Sequence, residues 1–263
     1  MRKVLVRSLV TMVVLFTTFL SPAGSTYPPV SAAVQTFHSY YFSGVNPPFN
    51  DAYISVTRTL AMNSYTAITL EAWVKREDAS RTEVVVCNDP AFSYCLGFIG
   101  GQVFFDTNGT NAQLLSTHTV GANDWVHIAG TYANGVSQIY INGILDASAT
   151  NTWGIGSSVT GNFGIGADLT QAAPQSYFKG WIDNVRLWNV ARGGADIRAT
   201  LFEELGGTSP NLVSEWQLNG DATDAVGNNP GTASAGAIAE IDGALPHDIR
   251  IPLVGTAPTL DGQ

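Results

Sequence analysis

The chain has 263 residues, of which 45% are apolar and 13% charged, so it can form a folded core and is not a disordered polymer. Its 21 acidic residues outnumber the 12 basic ones and give a net charge of −9. This sign argues against nucleic acids and anionic membrane surfaces as partners. The 27 glycines and 12 prolines indicate a turn-rich, all-β protein and argue against a helical bundle.

The first 33 residues have the pattern of a secretory signal peptide. A basic start is followed by an apolar stretch over residues 9–20, and the small residues Ser31 and Ala33 fit the −3 and −1 positions of a cleavage site. We predict cleavage after Ala33, with a cut near Ser25 as the alternative. An uncleaved anchor is a third option, although twelve residues are short for a membrane span.

The predicted export determines how Cys87 and Cys95 are interpreted. In an oxidising compartment, so close a pair favours a disulfide over a metal site. Closing this short loop would stabilise the fold by about 2 to 3 kcal/mol in the chain-entropy model. The alternative is a pair of free, buried thiols.

Strand patterns dominate residues 34–243. Segments 125–132 and 136–141 alternate apolar and polar residues with period two, as half-buried strands do. One short helix is expected near residues 195–205. Three Asn-Gly dipeptides predict type I′ hairpin turns, and therefore an antiparallel sheet, at Asn108-Gly109, Asn134-Gly135 and Asn142-Gly143.

The domain organisation follows from composition. No linker interrupts residues 34–243, and this length suits one β-sandwich. Residues 244–263 contain Pro246, Pro252 and Pro258 and predict an extended linker. We expect the chain to continue into a second domain beyond residue 263.

Several sequence blocks, taken in order, resemble the laminin-G-like jelly roll. They are residues 42–44 with 51–56, then 70–74, 125–132, 139–143, 178–188, and 212–218 with 224–232. The resemblance covers residues 37–243 and implies the concanavalin A-like antiparallel β-sandwich of lectins and glucanases. The tail 257–262 is similar to the opening of a carbohydrate-binding domain and is interpreted as the start of that second domain.

The resemblance also implies a function. Most members of this group are exported, non-catalytic recognition or adhesion modules, which predicts a secreted or cell-surface protein that binds a glycan or an extracellular surface protein. Two alternatives stay open: a structural spacer without a ligand, and an accessory domain of a glycoside hydrolase whose catalytic part lies outside this chain.

Catalytic patterns are missing from the sequence. Glucanases of the resembled fold place two or three carboxylates at alternate strand positions, so that an acid and a nucleophile share one cleft. Glu71 lies on a predicted strand but has no carboxylate two residues later. His127 lies mid-strand beside Trp125, where a packed histidine is expected. We therefore predict a protein that is not an enzyme.

A calcium site is the one cofactor prediction. Strict alternation would place Asp183 on the same strand face as three apolar neighbours, Trp181, Val185 and Leu187. A buried carboxylate needs a partner, either backbone N–H groups or a hard cation. The resemblance implies a structural Ca²⁺ held by Asp183, Asp51 and the Gly44 carbonyl, although residues 45–50 are inserted before Asp51 relative to the family pattern. A hydrogen-bonded structural aspartate is the alternative.

Ligand binding is expected in loops, where aromatic faces can stack on sugar rings. Trp153 is the preferred candidate because its Asn and Gly neighbours offer little core to pack into; the alternative is a ring that packs on the sheet edge. The other loop candidates are Phe92, Tyr94 and Tyr177. The remaining tryptophans are predicted to lie in the core: Trp73, Trp125, Trp181, Trp188 and Trp216.

Overall fold

The structure is a computed structural model that describes residues 38–44, 52–57, 59, 62, 65–88, 93–109, 112–156, 162–169 and 174–240. All of them belong to one compact unit, Thr36–Gln263. The predicted signal peptide (1–33), the linker with the second-domain start (244–263), Asp51 and Phe92 lie outside the described residues. Predictions that concern those positions stay untested.

The described residues form fifteen strands and one α-helix, α1 (Gly194–Ala199), with a 3₁₀ turn at Gly206–Thr208. The helix confirms the expected position but is shorter than predicted. The strands are β1 Ser39–Ser43, β2 Ile54–Val56, β3 Ala67–Arg76, β4 Thr82–Cys87, β5 Cys95–Ile99, β6 Gln102–Asp106, β7 Leu114–Thr119, β8 Trp125–Ala133, β9 Val136–Ile141, β10 Ile144–Thr150, β11 Phe163–Ile165, β12 Lys179–Trp188, β13 Leu212–Trp216, β14 Gly231–Ala233 and β15 Ala237–Glu240.

The strands form two antiparallel sheets. Sheet A has the order β10-β9-β8-β3-β12-β1-β15, and β13 pairs with β12 beyond the end of β1. Sheet B has the order β14-β2-β11-β4-β5-β6-β7. Many neighbours in each sheet are distant in sequence, which is the connectivity of a β-sandwich rather than of a simple meander. The predicted fold class is confirmed.

The main core lies between the two sheets, where alternate residues of each strand point inwards. Large side chains that the core buries include Phe42, Val74, Phe105, Phe163, Ile182 and Trp216.

Within the described residues, none of the helices has the length and hydropathy needed to cross a bilayer.

Two of the three predicted Asn-Gly turns are confirmed. Asn134 and Gly135 have φ values of 50° and 78°, and Asn142 and Gly143 have 51° and 71°. Positive φ at both central positions is the signature of the type I′ turn. Asn108-Gly109 is different, because β6 ends at Asp106 and β7 begins only at Leu114. A longer loop joins these strands, so the tight hairpin predicted there is wrong.

A second layer covers part of the outer face of sheet A. Residues 189–208, named here the cover segment, contain α1 and pack over the middle of β3 and β8. Its apolar contacts form a small separate cluster of Trp73, Ala129, Tyr140, Ile197 and Leu201. The Trp73 indole Nε1 donates to the Leu201 carbonyl over 2.7 Å.

A β-bulge in β12 changes which side chains face the core. The register with β3 shifts between Asp183 and Arg186, and Asn184 has a φ of 46°. Before the bulge Ile182 points into the core; after it, Val185 and Leu187 do so. Trp181 and Asp183 therefore lie on the outer face. The prediction that Asp183 shares a face with Val185 and Leu187 is wrong, because an extra residue in the strand reverses the alternation.

Candidate functional site

Trp153 is the most exposed large apolar side chain among the described residues, with 60% of its surface accessible. It lies in the loop that follows β10. This loop reaches the β8–β9 turn, where Asn151 N donates to the Gly135 carbonyl over 2.7 Å. Trp153 thus lies at the end of the sandwich where β3 begins, and its side chain is not packed into the core.

Hydrogen bonds hold the backbone around Trp153 in place. Its N–H donates to the Asn151 side chain over 3.1 Å, and its carbonyl accepts from Asn108 Nδ2 over 3.2 Å. The Thr107 hydroxyl donates to the Gly154 carbonyl over 2.7 Å. Asn151 is itself buried and donates to the side-chain oxygens of Thr107 and Ser137. A mostly exposed ring therefore stands on a fixed backbone.

Asn88 and Ser93, which lie between the two cysteines, are at the same end of the sandwich as Trp153. The Ser93 hydroxyl donates to the Gly156 carbonyl over 3.3 Å and accepts from Asn88 Nδ2 over 2.9 Å. Cys87 and Cys95 form a disulfide, which confirms the predicted pairing. We name the surface formed by residues 107–109 and 151–156 the Trp153 surface.

Two of the other predicted ligand aromatics are buried. Tyr94 is inaccessible, lies in the main core and donates its hydroxyl to the Met62 carbonyl over 2.8 Å. Tyr177 is 1% exposed. Neither ring therefore has the exposed face that stacking on a sugar requires, so the prediction of these two as ligand-binding loop aromatics is wrong.

Charge at the Trp153 surface is sparse. Segments 88–94, 107–113 and 151–161 contain no lysine or arginine. Four described cations, Lys75, Arg76, Arg81 and Lys179, lie near the far end of β3, nine residues from Ala67, which is roughly 30 Å along the strand. These three segments therefore supply no basic side chain to an anionic ligand.

The structure does not bring the predicted calcium ligands Asp183 and Gly44 together. Ser43 pairs with Lys179, four residues from Asp183 in β12, so Gly44 lies roughly 13 Å or more from Asp183. The Gly44 carbonyl accepts a hydrogen bond from the Arg81 guanidinium over 2.9 Å. These two residues do not fit one calcium site, because ligands of one ion lie within about 5 Å of each other. Calcium binding itself stays a prediction.

Asp183 has a different environment from the one expected. It is 1% exposed, and its Oδ1 accepts from the Asn184 backbone N–H over 2.8 Å. Burial raises its pKa well above the ordinary value, and the Glu204 carboxylate adds to the shift, while the Asn184 N–H and Arg186 oppose it. Among the described residues, no group of three His, Cys, Asp or Glu side chains is arranged to hold a metal.

A buried ionic network under the cover segment was not predicted. Arg186 Nε donates to Glu215 over 2.8 Å, and Arg192 donates to Glu71 over 2.8 Å. Arg186 also donates to the Thr200 carbonyl over 3.0 Å and to the Glu203 carbonyl. All four charged side chains are nearly inaccessible. The network joins the sheet to the cover segment and neutralises these carboxylates.

His127 lies at the edge of this network. Its Nε2 is 3.8 Å from Glu71 Oε2, and its ring packs edge-on against Trp73. Burial, followed by the positive charges of Arg186 and Arg192, lowers its pKa well below the ordinary value. His127 is therefore a neutral, packed histidine at neutral pH, as the sequence analysis expected.

The tryptophans are only partly where the sequence placed them. The structure buries Trp73, Trp188 and Trp216, whereas Trp125 and Trp181 are half-buried on the outer face of sheet A. The prediction of core positions is wrong for these two, because Val126 and Ile182 take the inward positions beside them.

Comparison with family models confirms the predicted resemblance. The Laminin_G_3 model, described as concanavalin A-like lectin/glucanases superfamily, matches residues 49–198, more than half of the chain. Comparison with curated proteins found no significant match.

Solved structures share the fold. A candidate carbohydrate-binding protein from Bacteroides ovatus is 20% identical with a TM-score of 0.65; the alignment covers 79% of this chain and 60% of that protein's length. A heptameric SAP-like pentraxin from Limulus polyphemus is 14% identical with a TM-score of 0.59, covering 79% of this chain and 96% of the pentraxin. At these identities the likeness establishes a common architecture.

Proposed function

This chain belongs to the concanavalin A-like lectin/glucanases superfamily, and on that premise we propose that it is a non-catalytic module that binds an uncharged glycan at the Trp153 surface. One observation carries the proposal: a 60% exposed indole is mounted on a backbone that several hydrogen bonds fix. Because the backbone is already held, only the two side-chain torsions of Trp153 lose freedom when a sugar stacks on its ring.

The charge distribution supports the class of ligand. Segments 88–94, 107–113 and 151–161 contain no basic residue, and the whole chain has a net charge of −9. Sulfated, sialylated or uronic acid-rich glycans would meet repulsion without a compensating cation. Neutral sugars need only an apolar face for stacking and polar groups at its rim. The Trp153 ring supplies the apolar face, and the amide of Asn108 and the backbone of loop 151–156 supply the polar groups.

The proposal of a non-catalytic protein is supported by the state of the buried carboxylates. Glu71, Glu83 and Glu215 are fully buried, and each forms an ion pair with at least one arginine. A glycosidase needs two carboxylates that open into one cleft and contact substrate. These three carboxylates are neutralised by guanidinium groups, either under the cover segment or between the sheets. They are therefore suited to a structural role.

Export is part of the proposal. The Cys87–Cys95 disulfide is typical of an oxidising compartment, and the leader has the pattern of a signal peptide. We place the protein outside the cytoplasm, with an extracellular glycan as its partner.

The test is native affinity electrophoresis of the purified chain in gels containing barley β-glucan, galactomannan or arabinoxylan. Wild type should be retarded by at least one of them, and Trp153→Ala should be retarded less, with an unchanged melting temperature. Leu145→Ala is the matched control, since Leu145 is 50% exposed on β10 and apolar but lies outside the Trp153 surface. Equal retardation of wild type and Trp153→Ala in every gel would overturn the assignment of the site.

A further inference from the structure

A row of side chains crosses the outer face of sheet A beside the cover segment, and its Trp125 packs against the small cluster under that segment. Each member is directly opposite the next in the strand register, so all five point to the same face. We name this the aromatic row: Trp125 of β8, Lys75 of β3, Trp181 of β12, Tyr41 of β1 and Ile238 of β15.

The row is long and accessible. It spans five adjacent strands, so four inter-strand steps of about 4.8 Å give a length of roughly 19 Å. Ile238 is 52% exposed, and the other four members are half-buried. The inward neighbours of the row, such as Val74 and Ile182, fill the main core. The row is therefore a surface feature on a rigid sheet.

The rings of the row are held in fixed positions. Trp181 Nε1 donates to Glu240 Oε2 over 3.0 Å, and the Tyr41 and Trp181 rings are 5.0 Å apart. The Lys75 ammonium lies 5.1 Å from the centre of the Trp181 ring. Tyr41 donates its hydroxyl to Glu77 over 3.4 Å. Apolar ring surface thus alternates with one ammonium donor and two carboxylate acceptors.

We propose that the aromatic row is a second binding site, which takes a linear, uncharged polysaccharide chain running across the strands. This inference rests on the proposed glycan-binding function and adds a site that favours long chains. The exposed parts of the rings suit the C–H faces of sugars, Lys75 can donate to their hydroxyl oxygens, and Glu77 and Glu240 can accept from them. The mixed signs of these charges match a neutral polyhydroxyl chain rather than an ion.

The shape of the row favours a chain over a globular protein. One neighbouring row on the same face contains Trp73 and Asp183, which are buried under the cover segment. The other contains Lys179, ion-paired with Glu77 at 3.4 Å. The apolar strip is therefore about one residue wide, roughly 7 Å along the strands, far too small for the ~800 Å² that each partner buries in a stable protein interface.

The experiment combines variants of the full chain with hydroxyl-radical footprinting in the presence of barley β-glucan, galactomannan or glucose. Trp181→Ala should weaken binding of one polysaccharide about tenfold, the factor that corresponds to one good aromatic contact. Polysaccharide, but not glucose, should protect Trp181 and Trp125 from oxidation. Tyr41→Ala gives an independent test if Trp181→Ala does not fold, and Trp181→Phe should retain most of the affinity.

The outcomes separate this inference from the proposed function. If Trp153→Ala loses binding while Trp181→Ala and Tyr41→Ala bind every polysaccharide as wild type does, the Trp153 surface stands and the second site is refuted. If the row variants lose binding and Trp153→Ala does not, the second site stands alone. Protection of the row by a proline-rich peptide and by no polysaccharide would also overturn the inference, since aromatic strips bind such peptides in other proteins.

Discussion

Replacing Arg186 with methionine should destabilise the protein strongly and release the cover segment. Arg186 is 1% exposed and is the cation that contacts Glu215, while it also donates to the Thr200 and Glu203 carbonyls. Methionine keeps much of the volume but leaves Glu215 buried without that cation. Removing one partner of a buried ion pair typically costs about 3–5 kcal/mol.

The loss should appear both globally and locally. For a folded unit of about 200 residues, that free energy corresponds to a fall in melting temperature of roughly 10 °C. Urea denaturation would give the change in unfolding free energy. Hydrogen exchange should rise first in residues 189–208, because Arg186 joins two of their carbonyls, those of Thr200 and Glu203, to the sheet.

A second substitution provides the control. Glu215→Gln removes the buried charge but keeps an oxygen that can accept from the Leu205 and Gly206 N–H groups, which Glu215 binds now. Arg186→Met/Glu215→Gln should therefore be more stable than Arg186→Met by about 1 kcal/mol or more. A loss below about 1 kcal/mol for Arg186→Met, with unchanged exchange in the cover segment, would refute the assigned role of the network.

Three further predictions concern the sheets. Burial raises the folded pKa of Asp183, so this residue's contribution to stability falls as pH rises above about 4; Asp183→Asn should remove that contribution in urea titrations between pH 4 and 7, and an unchanged pH slope would contradict it. Cys87→Ala/Cys95→Ala should lose about 2–3 kcal/mol, whereas a midpoint equal to that of wild type would show that the disulfide does not stabilise the fold. Gly130→Ala would place a methyl group against a buried ring of β6 and should cost about 1–3 kcal/mol by calorimetry; Gly121→Ala, which meets open space, is the control, and equal midpoints for the two variants would contradict the packing.

The sequence alone was sufficient to predict the local features of the fold. Asn134-Gly135 and Asn142-Gly143 predict hairpins because asparagine and glycine both tolerate positive φ, and the alternation of residues 125–132 fixes which side of β8 is inward. The cysteine pair and the order of the sequence blocks were enough for the disulfide and the fold family. Each of these signals is contained in a short window of the chain.

The features that were missed depend on distant contacts. The bulge at Asn184 reverses the faces of β12, and its only local signal is an Asp-Asn pair inside a strand, where asparagine can adopt a left-handed conformation. Tyr94 can lie in the core because the backbone carbonyl of Met62, 32 residues away, accepts a hydrogen bond from its hydroxyl. The aromatic row is assembled from five strands between Tyr41 and Ile238, and no periodicity within one segment could reveal that register.

Glycan binding at Trp153 is tested most directly by an NMR titration of the tryptophan indole N–H signals with the polysaccharide that retards the wild-type protein. We predict that the Trp153 signal shifts at the lowest ligand concentrations, while the signals of Trp73 and Trp216 stay fixed, because both indoles are buried and hydrogen-bonded. Shifts at saturating ligand that leave the Trp153 signal unmoved would contradict the assignment of this loop as the glycan-binding surface.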